Sequence, residues 1–249
     1  IKSYRTLPAV KEGPFKGYPV IYLIVRELLN VTDTHLDEDN IVNLLTAYQS
    51  VKPLTIAELW AFSDVLKICL IESISKICQS IIDNISVKRK AGRMMDEIFE
   101  KPWAHEDEVA QRLMRRMEGK DVFDSKYLVH VLFRLKEIDV EEGFLKQCLM
   151  DAKCGEDLDI AGAIRSEARQ QAALQVSISS AITSLIQVSA IDWEKLFEKI
   201  SVVEAILSRD PSGVYPKMDF STRDAYHHEV EKMAENIGVK ETQIAESAV

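Results

Sequence analysis

The residues here with the chemistry to bind or react are few and clustered. Asp219, Phe220, Arg223, Asp224 and Tyr226 fall within one short phrase, and their mixture of charge and aromatic surface suits contact with a sugar or a protein partner. Against that stands a local reading, in which Asp224 caps a helix and Arg223 pairs with a neighbour. Asp33, Asp37, Gln49, Glu58 and Trp60 form a second candidate group, although Glu58 is already accounted for by a helix cap and Trp60 by core cover. His227-His228-Glu229 invites a metal reading. A zinc-binding helix needs two histidines a turn apart on one face, whereas adjacent histidines diverge. Asp157-Leu158-Asp159 has the spelling of a metal–nucleotide site but opens a helical pattern. No Gly-x-Ser-x-Gly, P-loop or Gly-x-Gly-x-x-Gly is present, so catalytic residues, metal and cofactor are all expected to be none.

The elements that must position these residues are helical. Nine glycines and seven prolines in 249 residues favour long helices over turn-rich β structure. From Pro53 to Ile85 the pattern reads as one long helix. Thr55 and Glu58 make a capping box, Leu54 and Leu59 a hydrophobic staple. Leu59, Phe62, Leu66, Leu70, Ile74, Ile77, Ile81 and Ile85 recur at steps of three and four, and Ile68, Ile71, Cys78 and Ile82 widen the stripe. So wide an apolar face is expected to be covered by several neighbours.

Before it, helices are expected over 18–30 and, behind the acidic start Asp37-Glu38-Asp39, through Tyr48. After it, shorter amphipathic segments are expected over 106–118, 125–136 and 140–152. A second long helix is expected over 156–188. Its later half, rich in Ser and Ala, should pack closely, against the first long helix. Asp192 caps a further helix to Leu207, Asp210-Pro211-Ser212-Gly213 fits a type I turn, and Ser221-x-x-Asp224 opens a helix that Gly238 stops. The expected fold is all-α, a multi-helix array with two long helices at its centre. It is read as a single helical domain over 1–249, with sub-regions 1–101, 102–155 and 156–249.

A net charge of −9 argues against nucleic acid, and basic runs such as Lys88-Arg89-Lys90 read as solvated helix faces. Cys69, Cys78, Cys148 and Cys154 lie in no Cys-x-x-Cys pair, and Cys69 and Cys78, within or beside the stripe of the long helix, read as small core residues in a reducing compartment. The most apolar window, Val65 to Ile82, contains Lys67, Glu72 and Lys76, so no membrane span is expected. The chain opens at Ile1 without Met and reads as a piece of a longer protein.

Two long stretches resemble the N-terminal helical region of the cyclic β-1,2-glucan synthase family. The first, Tyr4 to Phe62, carries Thr32-Asp33, Tyr48-Gln49 and Pro53-Leu54-Thr55-Ile56-x-Glu58-Leu59-Trp60. The second, Arg165 to Ala234, carries Asp210-Pro211-x-Gly213-Val214-Tyr215 and Met218-Asp219-Phe220-x-Thr222-Arg223-Asp224-x-Tyr226. Residues 90–155 match only loosely. The resemblance implies a parent that is a large inner-membrane, UDP-glucose-dependent glycosyltransferase joined to a phosphorylase-like region, making its glucan on the cytoplasmic side. It implies that this chain is a non-catalytic scaffold, bracing the other domains of the same polypeptide or holding glucan oligosaccharide. The alternative is an independent protein-interaction module with no role toward sugar.

Overall fold

The computed structural model describes residues 7–99, 111–113, 115, 125–137 and 160–249. All regular structure among them is helical, with one isolated antiparallel bridge between Ala9 and Pro19. In chain order the α-helices are α1 (Val20–Val31), α2 (Glu38–Gln49), α3 (Ile56–Phe99), α4 (Ser125–Glu137), α5 (Ile160–Ala190), α6 (Trp193–Ile200), α7 (Val202–Leu207), α8 (Phe220–Ile237) and α9 (Glu241–Ala248). A 3₁₀ turn spans Tyr215–Lys217. The all-α expectation holds, and α3 and α5 are the two long helices. The predicted segments over 106–118 and 140–152 lie wholly or largely outside the described residues, as do Cys148, Cys154 and Asp157-Leu158-Asp159.

The chain divides into two compact units, 1–74 with 179–249, and 75–178. In the first unit the start of α3 follows its sequence signals. Thr55 Oγ1 accepts from Glu58 N at 3.1 Å, Glu58 Oε2 accepts from Thr55 N at 2.9 Å, and the staple residues Leu54 and Leu59 are both buried. Asp37 caps α2 by accepting from Asn40 N at 2.7 Å, and Asp192 caps α6 through Lys195 N. One continuous core holds Ile21 and Val25 of α1, Ile41 and Leu45 of α2, Phe62, Leu66 and Leu70 of α3, and Leu196, Val203 and Ala245 of α6, α7 and α9.

The helix expected from Asp192 to Leu207 is broken at Ser201. That buried residue is extended (φ −72°, ψ 120°) and its hydroxyl caps α7 through Glu204 N. The start of α8 also differs from expectation. Asp219, not Ser221, is the cap, accepting from Thr222 N at 2.7 Å. The helix therefore starts two residues earlier than expected, with the Asp219 side chain satisfying one of its free N–H groups.

In the small-residue half of α5, Ala181, Ser184 and Val188 are buried. Ser184 does more than permit close approach. Its hydroxyl donates to Thr34 O at 2.6 Å and accepts from Leu36 N at 2.9 Å, fastening the α1–α2 loop. Asp33 and Thr34 in that loop are both left-handed (φ 49° and 63°), a costly conformation for residues other than glycine. Taken by length and composition alone, 164–190 is long and apolar enough to cross a membrane, with a mean hydropathy of 1.3. The polar anchoring of Ser184 marks this part of it as packed in the first unit.

The second unit is built from the later part of α3, α4 and the early part of α5. Ala91, Met94, Met95 and Ile98 of α3 and Val129, Leu132 and Leu135 of α4 are buried. Lys126 donates to Asn84 Oδ1 at 3.0 Å and Arg134 pairs with Asp96 at 2.9 Å. Burial pushes the His130 imidazole below its usual range.

The wide stripe on α3 is only half covered. Leu59, Phe62, Leu66 and Leu70 are buried, whereas Ile68, Ile71, Ile82 and Ile85 are 52%, 55%, 57% and 44% exposed.

Candidate functional site

The phrase Tyr215 to Tyr226 folds around a carboxylate that sequence reasoning did not single out. Glu204, on α7, is 3% exposed. Its Oε1 accepts from Arg223 on α8 and from Ser208 Oγ; its Oε2 accepts from the Tyr215 hydroxyl at 2.7 Å and lies 2.8 Å from His227 Nε2. An ionised carboxylate only accepts, so Nε2 carries the ring proton. The other guanidinium nitrogen of Arg223 pairs with Glu198 on α6. The cluster therefore ties α6, α7, the 3₁₀ turn and α8 together.

Local structure sets each part. The Asp210 side chain accepts from Ser212 N, Val214 N and Tyr215 N, curling the chain so that Tyr215 turns inward. The Ser212 hydroxyl also donates to this carboxylate, and that bond, then those from Tyr215 N and Ser212 N, hold the Asp210 carboxyl down at about 2. The Asp219 cap then starts α8 so that Arg223 and His227, one turn apart, share the face toward Glu204.

Electrostatics follow from burial and pairing. Burial pushes the Glu204 carboxyl up, but hydrogen bonds from His227, Tyr215 and Arg223 outweigh it and leave it at about 2. Burial, then the bond to Glu204, raises the Tyr215 hydroxyl. Three atoms are left over: Arg223 Nε is buried without a hydrogen bond, as are His227 Nδ1 and Asp224 Oδ1, which stand 3.7 Å apart. His227 is fully buried, and the cluster forms an internal tie between these helices.

The candidate residues are arranged around it. Arg223 is in it. Trp60 stacks on Phe197 (centroids 4.8 Å, interplanar 13°) and meets Phe220 edge-on, and Phe197 in turn lies against His227. Tyr226, 48% exposed, meets Tyr215 edge-on. Asp219 is spent as the cap of α8. Asp224 does not cap; it lies near His227 and His228. The second group is not assembled into one site. Asp33 shapes a loop, Asp37 caps α2, Gln49 donates to Ile200 O at 2.9 Å, and Glu58 closes its capping box. Glu198, Glu204 and Tyr215 were missed. The available signal was Glu204 itself, an acid set among Val203, Ile206 and Leu207 on an apolar face. Among the described residues no group of three or more His, Cys, Asp or Glu is placed to hold a metal ion.

No family model matches the chain. It is 25% identical over 250 residues to the cyclic beta-(1,2)-glucan synthase NdvB of Rhizobium meliloti (strain 1021), an alignment covering all of this chain and 8% of that protein. The chain is similar to one region of a glucan synthase. It spans 8% of the length of the curated relative it matches.

Proposed function

We propose that this chain is a non-catalytic helical domain of a cyclic β-1,2-glucan synthase-like glycosyltransferase, bracing the catalytic parts of a membrane-bound parent on its cytoplasmic face. The observation that carries this reading is the similarity, over the whole of this chain, to one region of NdvB. Two features of the fold support it. Asp219 is used as a helix cap and Arg223 in a closed tie. Exposed isoleucines on α3 supply apolar surface of the kind that docks on another polypeptide surface.

The test has two arms. The chain alone, incubated with UDP-glucose, is expected to show no transfer or hydrolysis; turnover would overturn the non-catalytic reading. Deleting the matching region from NdvB is expected to abolish cyclic glucan synthesis in membranes, and wild-type synthesis would remove bracing. A finer role, holding the growing glucan, predicts amide shifts on titration with β-1,2-linked oligosaccharides, and silence at millimolar sugar excludes it. The same exposed isoleucines favour a second reading, an interaction module independent of sugar. That reading predicts synthesis unaffected by the deletion.

A further inference from the structure

Away from the Glu204 tie, a cavity of about 480 Å³ opens in the first unit between the start of α3, the end of α8 and the start of α9. Its walls include Pro53, Ala57 and Val239, and four carboxylates line it: Glu58, Glu231, Glu235 and Glu241, against Lys52 and Lys240. Glu58 is 2% exposed. Its Oε2 is used by the capping box, but its Oε1 is buried without a hydrogen-bond donor. Buried carboxylate oxygens are rarely left so, and the shortfall is that of a missing donor. The cavity also meets the C-terminal end of α8, at Ala234, Glu235 and Gly238, where the helix dipole favours positive charge.

The geometry points to a binding site for an organic cation, an ammonium or guanidinium on a short aliphatic stem, seated among Glu58, Glu231, Glu235 and Glu241. Since no described acidic group is placed to hold a metal ion, the cation is an organic one. No aromatic ring lines the cavity, which separates this site from a sugar platform. A supporting feature is that burial, then repulsion from the neighbouring glutamates, lifts Glu241 to about 7. A bound cation favours the ionised form, so binding strengthens as pH rises through 7 and releases protons.

Agmatine and N-acetyl-arginine amide, titrated into the whole chain, represent a free amine and a protein side chain. Either is expected to shift the amides of 56–58 and 238–242 saturably, with calorimetric heats that depend on buffer ionisation. Tighter binding of the arginine amide identifies a side-chain ligand; tighter binding of agmatine, a free amine. Glu58→Gln keeps the capping box, which accepts Gln equally, and is expected to weaken binding about tenfold or more, the loss of one charge-assisted bond. The exposed Glu235→Gln serves if Glu58→Gln fails to fold. Silence at 10 mM-scale probe, or equal binding of uncharged N-butylurea, overturns the site.

Discussion

Glu204 shows how a single buried acid is made tolerable. Four donors converge on its two oxygens, and Arg223 neutralises it while reaching on to Glu198. Removing the guanidinium alone leaves an uncompensated buried charge. Arg223→Met is therefore expected to cost about 3–5 kcal/mol in urea unfolding. Two carboxylates also give opposite pH dependences. Glu204 sits at about 2, below its ordinary 4.5, so its stabilisation is present above 4.5 and lost as pH falls toward 2. Glu241 sits at about 7, above its ordinary 4.5, so its contribution is full below 4.5 and lost as pH rises through 7. Unfolding midpoints are expected to fall between pH 4.5 and 7, and Glu241→Gln should flatten that slope while leaving the acid limb intact. At this scale the sequence was partly readable. Arg223 stood out by its phrase, but its partners lie 19 and 25 residues away, at distances no local pattern encodes.

Helix starts were the most readable elements, because a cap needs only the residues beside it. Thr55 with Glu58, and Asp192, act as their spacing implies, while Asp37, read only as part of an acidic helix start, is the cap of α2. Thr55→Ala is expected to lower stability by about 1 kcal/mol. Competition between nearby caps was less readable, as at Asp219 and Ser221, and the break at Ser201 left no glycine or proline as a mark. The α1–α2 loop is held by tertiary bonds from Ser184, which local sequence could not show. Ser184→Ala strands a buried N–H and a carbonyl and should cost about 1–3 kcal/mol. Conversely Thr34→Gly relieves a left-handed β-branched residue and is expected to raise the melting temperature, with about 1 kcal/mol gained. A lower melting temperature would show that the loop carries no such strain.

Across the whole molecule, helical period told which residues are apolar but not which find cover. Leu66 and Ile68 sit two positions apart on α3, one sealed and the other 52% exposed. Under the proposed bracing role this open surface is the docking face, and Ile68→Glu with Ile71→Glu is expected to leave the fold's stability nearly unchanged. Those changes should instead impair assembly of the parent, read as loss of glucan synthesis in membranes.

The bonds from Ser184 to Thr34 and Leu36 cross 150 and 148 residues of sequence inside one unit. During synthesis the Thr34 carbonyl and the Leu36 N–H therefore lack these partners until the ribosome has passed residue 184. The intervening polypeptide acts as a timer, and slow translation through it lengthens the window in which a chaperone can capture the nascent chain.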